Sequence, residues 1–259
     1  MVKLKTTMTS KNQNVGPYPH INVEEYFNAL VREYGGAVVL EETLPYPRTF
    51  PNADYVFHSE KIVAELKCLQ VDNVDSDNNQ VKIKAAVDYF YDAGKITSKN
   101  IDENTWPKLP KELTDRIYEI TTKAIQARIR KARHQIAETK QKLGLQSYAG
   151  YLIIVNEGIF SLPPAAFIMA IVRVLDTHRE IDHFIFFSAN VFTKIRNVPM
   201  PLMFWLGFDM QRGPKFNNAF NVNLHESWKR LITRKTGIPN HSIQVNDDEG
   251  FWKAKNVNP

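Results

Sequence analysis

The chain has one cysteine, Cys68, so it cannot form an internal disulfide. That excludes a disulfide-stapled secreted fold and leads to the expectation of a reducing, cytoplasmic setting. Long apolar runs are also missing. The most apolar stretch, Leu162 to Leu175, contains Pro163, Pro164 and Arg173 and falls well short of the ~20 apolar residues that span a bilayer. An integral membrane protein is therefore not expected, and Met1 to Asn14 lacks the apolar run of a secretory signal. Excess of one charge sign is small. Lys and Arg number 33 against 28 Asp and Glu, a balance that admits a polyanionic partner without demanding one. There is no glycine-rich phosphate loop and no serine elbow, which argues against NTPase, dinucleotide-dependent and serine-hydrolase designs. His178 and His183 have no cysteine or carboxylate at zinc-ligand spacing, and Asp75 to Asn79 lacks the glycine of a calcium loop.

Across 259 residues, 43% hydrophobic and 24% charged, composition suffices for one substantial core. Residues 1–20 read as a flexible arm and 21–259 as a single domain. Its core is expected over about 22–190, with an insertion at about 70–110 and an elaboration over 191–259 serving DNA recognition or dimerisation. Asn22 caps a helix Val23 to Tyr34, in which Val23, Phe27, Leu30, Val31 and Tyr34 form an apolar stripe and Glu25 completes a capping box. Strands are expected at Ala37 to Leu44, Asp54 to Phe57, Lys61 to Leu69, Tyr148 to Val155 and Ile181 to Phe187, with an edge strand at Met200 to Phe208. Helices are expected at about Val81 to Tyr91, Lys111 to Leu143, from Pro163-Pro164 onward, and at Leu224 to Lys235. Alternation of strand and helix in the second half gives an α/β class with a mixed central sheet flanked by helices.

The segment richest in chemistry is Asp54 followed by Ile62-Val63-Ala64-Glu65-Leu66-Lys67. In a strand, Glu65 and Lys67 share one face while Ile62, Ala64 and Leu66 take the other, so two charges lie on an otherwise apolar strand. That is a costly location for charge. A hairpin turn at His58 to Lys61 sets Phe57 opposite Ile62, and the same register sets Asp54 opposite Glu65. Cross-strand neighbours have Cβ atoms roughly 4.5–5.5 Å apart, where two carboxylates repel unless a cation or proton lies between them. Mg²⁺ accepts one or two carboxylates, so Asp54, Glu65 and the Leu66 carbonyl form a candidate hard-cation site, with Mn²⁺ as a substitute ion. Lys67 beside it can hold a water or stabilise charge on a phosphate oxygen.

An acid on one strand and Glu-X-Lys on its hairpin partner resembles the PD-(D/E)XK nuclease superfamily, the restriction-endonuclease-like fold. The residues are Asp54, Glu65 and Lys67, preceded by a helix with Glu24-Glu25 and by Gly35. The resemblance implies an αβββαβ core and a metal-dependent phosphodiesterase. It also implies Glu24 as a further metal-site carboxylate and Gln135, in Lys131-Ala132-Arg133-His134-Gln135-Ile136, as a polar group near the metal. Two departures stand out: Ala53 replaces the proline usual before the acid, and residues after Gln70 lengthen the connection to the next helix.

Between Lys123 and Lys142 the long helix has seven cations against Glu138 alone. Ile125, Ile129, Ala132, Ile136 and Leu143 form its buried stripe. Arg128, Lys131, Gln135 and Lys142 lie along one flank, suited to contacts with a phosphate backbone. The function expected is a Mg²⁺-dependent, type II restriction-like endonuclease acting on double-stranded DNA, in restriction or defence, with repair or junction resolution second. Cutting both strands favours a homodimer. The alternative is a non-catalytic nucleic-acid-binding or interaction module that keeps the nuclease fold.

Overall fold

A computed structural model of the chain describes residues 20–74, 76–97, 109–177, 179–195, 198, 202–238, 250 and 253–257. The expected N-terminal arm, apart from residue 20, lies outside these residues, as do Asp75, His178, Met200 and residues 98–108 of the expected insertion. Helix α1 (Val23–Glu33) starts where the Asn22 side chain accepts the Glu25 N–H at 3.2 Å, the bond an Asn cap makes. Its apolar stripe Val23, Phe27, Leu30 and Val31 is buried. Gly36, at φ +75°, then turns the chain into β1 (Ala37–Val39), a conformation glycine adopts without a Cβ clash.

The first strand is shorter than the expected Ala37 to Leu44. After Val39 the chain makes a single helical turn, α2 (Leu40–Thr43). The reason is the length of its partner: β2 (Tyr55–Phe57) pairs only with Ala37 to Val39. Leu40 N–H instead donates to the Asp54 carbonyl at 2.9 Å, outside the ladder. The hairpin from β2 into β3 (Ile62–Leu69) has the expected register, with Phe57 opposite Ile62, Val56 opposite Val63 and Tyr55 opposite Ala64. Asp54 is the residue just before β2, so it sits at the mouth of the hairpin.

Helix α3 (Asp77–Asp92) begins earlier than the apolar pattern suggested, because Ser76 caps it by accepting the Asn79 N–H. Helix α4 (Lys111–Lys142) matches its expected span. It is followed by β4 (Ala149–Asn156), α5 (Pro164–Leu175), β5 (His183–Ser188) and β6 (Phe192–Lys194). Next come β7 (Trp205–Asp209), α6 (Asn218–Thr236) and β8 (Lys255–Val257). The expected edge strand thus starts at Trp205. Of the residues before it, Leu202 makes one isolated bridge to Thr193.

Six strands form one mixed sheet in the order β1-β2-β3-β4-β5-β7, and β6 pairs with β8 in a small second sheet. β3, β4 and β5 are parallel neighbours, while the two flanking pairings are antiparallel. Every residue of β4 is buried, as a central parallel strand covered on both faces requires. On one face α1 and α6 pack Phe27, Leu30, Phe220, Leu224 and Trp228 against Tyr55, Phe57, Ile62, Tyr151 and Phe187. On the other, α4 and α5 pack Ile125, Ile129, Ala132, Ile136, Phe167 and Ile171 against Val56, Val63, Leu152, Ile154 and Phe184. Each such fully buried Leu, Ile or Phe contributes about 1.5–3 kcal/mol over leaving it exposed.

At 32 residues, α4 is about 48 Å long, against about 26 Å for the eight-residue β3. Its N-terminal part extends past the sheet and packs on α3 through a satellite core of Phe90, Ile96 and Leu113. Among the described residues, no helix is long and apolar enough to cross a membrane.

Candidate active site

The site is built at the mouth of the β2–β3 hairpin, where α4 crosses it. Alternation along β3 places Ile62, Ala64 and Leu66 in the core beneath α1 and α6, and Val63 beneath α4 and α5. Glu65 and Lys67 follow Val63 onto the α4 side. Glu65 is 0% exposed and Lys67 is 9% exposed, and the Lys67 ammonium contacts Glu65 Oε1. Asp54 turns towards the same strand, its Oδ2 accepting the Leu66 N–H at 2.8 Å. In a strand, one residue's N–H and C=O point to the same side, so the Leu66 carbonyl looks towards Asp54 as well.

Helix α4 completes the site. Lys67 Nζ donates to Gln135 Oε1 at 3.0 Å, and Gln135 Nε2 donates to the Asn52 carbonyl at 2.8 Å. One turn further along, Thr139 Oγ1 accepts the Ala53 N–H at 2.7 Å. Asn52 Nδ2 donates to the Ala53 carbonyl at 2.8 Å. The acid-bearing segment is therefore held from α4 as well as from β3.

The electrostatics are strained in one direction. Burial first, and then the Asp54 charge, push the Glu65 carboxyl up to about 8, against the opposing pull of Lys67. Asp54 is raised too, chiefly by burial and also by Glu24 and against the Leu66 hydrogen bond. Glu65 Oε2 is buried with no hydrogen-bond partner, and an unsatisfied buried acceptor calls for an explanation. A divalent cation would satisfy it: two carboxylates and a carbonyl are the oxygen donors Mg²⁺ takes alongside water. The residues present thus fit such an ion.

Glu24 lies exposed on α1, and its charge reaches Asp54, Tyr55 and Cys68. It is not gathered into a tight cluster, since among the described residues no three His, Cys, Asp or Glu side chains are placed to hold a metal ion. Gln135, a remote sequence match, touches Lys67 directly. Arg128, Lys131 and Lys142 are exposed on α4. Arg128 and Lys131 precede Gln135 by two turns and one turn, on the flank that leads to the site. Cys68 faces away from Glu65, and burial pushes its thiol up, which leaves it unsuited to act as a nucleophile.

Thr139 and Asn52 were not anticipated. The available signal was Thr139 itself, a hydroxyl at helical spacing inside the stripe Ile125, Ile129, Ala132 and Ile136, where a buried polar group must find a partner.

In comparisons with protein-family models, curated proteins and solved structures, the chain matches none.

Proposed function

We propose that this protein is a Mg²⁺-dependent endonuclease, a deoxyribonuclease of the type II restriction-like kind with an αβββαβ restriction-endonuclease-like core. One observation carries the reading. Glu65 is fully buried beside a second carboxylate and keeps an oxygen without a partner, an arrangement that destabilises the fold unless an ion or proton occupies it. Asp54, Glu65 and the Leu66 carbonyl would hold the ion, with Glu24, whose charge reaches Asp54, as the further carboxylate and Mn²⁺ able to substitute. When bound, the ion supplies Lewis-acid stabilisation of the phosphoryl group and a more acidic water.

The chain's own residues do the rest. Lys67, oriented by Gln135, holds its ammonium where it can orient an attacking water or offset negative charge developing on a phosphate oxygen. Arg128, Lys131 and Lys142 contact backbone phosphates, which fix position without reading sequence. Double-stranded DNA is the substrate class proposed, a homodimer the assembly that cuts both strands, and the cytoplasm the location. Restriction or defence against foreign DNA is the proposed setting, ahead of repair or junction resolution, by analogy of fold.

A second reading is favoured by the Lys67 contact to Glu65, since a buried ion pair can stand without a metal. On that reading the chain is a non-catalytic nucleic-acid-binding or interaction module. Purified protein incubated with plasmid, linear duplex, single-stranded DNA and RNA, in Mg²⁺, Mn²⁺ or EDTA, separates the two. Cleavage that needs metal and is lost in Asp54→Ala and Lys67→Ala is the expected result. Binding of nucleic acid with no cleavage of any substrate favours the module.

A further inference from the structure

Asp54 lies outside the sheet ladder, so strand pairing does not place it as it places Glu65. Its position depends on its own bonds from the Leu40 and Leu66 N–H groups and on how the preceding peptides are held. The Ala53 N–H has one partner, the Thr139 hydroxyl at 2.7 Å, and both residues are 0% exposed. The neighbouring Asn52 carbonyl is held from the same helix by Gln135 at 2.8 Å.

The other threonines of α4 behave differently. Thr114 donates to the Pro110 carbonyl at 3.2 Å, Thr121 to Ile117 at 3.0 Å and Thr122 to Tyr118 at 2.7 Å. These are the back-bonds to the preceding turn usual for a threonine in a helix. Thr139 instead serves as an acceptor for a different segment of the chain. Its methyl and hydroxyl on one Cβ leave few rotamers, so the acceptor is held stiffly.

We infer that Thr139 is a positioning residue for the cation site: its hydroxyl holds the Asn52–Ala53 peptide just before Asp54, and through it sets the separation of the Asp54 and Glu65 carboxylates that a divalent cation reads. The inference rests on the metal-dependent reading above and deepens it. Because Thr139 shares a helix with Arg128, Lys131 and Gln135, one rigid element sets the phosphate contacts, the Lys67 ammonium and the acid together. A shift of α4 under a bound phosphate backbone would reach Asp54 through this hydroxyl.

The test uses the full chain and two readouts. Thermal stability is titrated with Mg²⁺ and with Mn²⁺ in the absence of nucleic acid, and cleavage of linear duplex is measured against the concentration of the same ions. Thr139→Val keeps the shape and removes the acceptor, while Thr139→Ser keeps the hydroxyl. The expected result is a half-saturating metal concentration raised about tenfold or more in Thr139→Val, the scale seen when a group supporting a ligand is lost. Thr139→Ser stays close to wild type, and duplex affinity in EDTA is unchanged in both. If Thr139→Val does not fold, Thr139→Ala removes the same acceptor and is read in the same way.

A Thr139→Val protein that melts earlier but binds metal at the wild-type concentration overturns the inference and leaves the nuclease reading intact. A wild-type protein with neither a metal-dependent melting shift nor metal-dependent cleavage removes both.

Discussion

Helix α4 reaches two buried carboxylates on its sheet-facing side, and their surroundings differ. Near its C-terminus Lys140 Nζ reaches Asp182 Oδ2 at 3.3 Å, and the same carboxylate accepts the Gly150 N–H at 2.7 Å. Further back, Gln135 steadies Lys67 against Glu65, whose second oxygen is buried and unpartnered beside Asp54. Both are acids with a lysine in a dry place. Asp182 is served through Oδ2 by a backbone donor and a cation, so it ties β4 to the start of β5 and to α4. Glu65 has too few donors and an acid for a neighbour. A buried carboxylate bonded by a backbone N–H and a cation reads as a structural tie, whereas one with an oxygen left over beside a second carboxylate is a candidate ligand site.

The sharpest way to break this comparison is to remove one acid from each place. Asp54→Ala is expected to lower duplex cleavage by about 10³-fold or more while the protein still folds, in line with losing charge stabilisation at a reacting centre. Asp182→Ala is expected to do the reverse. It strands Lys140 and the Gly150 N–H and costs about 3 kcal/mol of stability by denaturant unfolding, while cleavage by the protein that remains folded stays near wild type. Equal loss of cleavage in both variants would erase the distinction.

Metal addition gives the next largest difference. Saturating Mg²⁺, at about 100 times its dissociation constant, is expected to stabilise the wild type by about 2.7 kcal/mol. The same shift should persist in Asp182→Ala and vanish in Asp54→Ala, read as melting temperature with and without EDTA.

Proton linkage at Glu65 is the third test. Its carboxyl is raised from 4.5 to about 8, so between those values the folded protein favours a proton there that the unfolded chain releases. The sign follows: this group's contribution to stability is best below pH 4.5 and declines as pH rises to about 8. A cation must displace that proton. Apparent Mg²⁺ affinity is therefore expected to rise by about tenfold per pH unit below that value and to level off above it, measurable by calorimetry in buffers of different ionisation heat. A flat profile from pH 6 to pH 9 would mean that Lys67 keeps Glu65 ionised throughout.

The smallest expected effects lie on the outer flank of α4. Arg128→Ala and Lys131→Ala should each weaken duplex binding several-fold and reduce the dependence of log affinity on log salt by about 1. Glu65 and Asp182 should be indifferent to both changes, as judged by unchanged stability.

Much of this arrangement is legible in the chain. Alternation along Ile62 to Lys67 placed two charges on one face, and the four-residue turn His58 to Lys61 gave the register of β2 on β3, with Phe57 opposite Ile62, that the ladder has; Asp54 stands one residue beyond it. Period-2 and period-3.6 patterns are local, and they marked α1, α4, β3, β4 and β5 well. The pattern misled where a partner's length decided the outcome. Ala37 to Leu44 reads as one strand, yet β2 offers three residues to pair with, and the chain turns helical at Leu40. Gln135 was expected near the site only through the family resemblance, and Thr139 was illegible as a site residue, for a related reason: both lie on an ordinary amphipathic helix, and they bond to residues 83 and 86 positions away along the chain.

The sequence by itself determined the α/β class, the acid–Glu-X-Lys set and the basic flank of α4, because each depends on the identity and spacing of neighbours. Tertiary structure alone decided that Gln135 meets Lys67, that Thr139 holds the Ala53 peptide, and that Glu65 keeps a buried oxygen without a partner while Asp182 is bonded by Gly150 and Lys140. Those outcomes depend on how α4 is seated across the sheet. That seating comes from the burial of its apolar stripe against β3 and β4, a non-local balance that no short window of sequence contains.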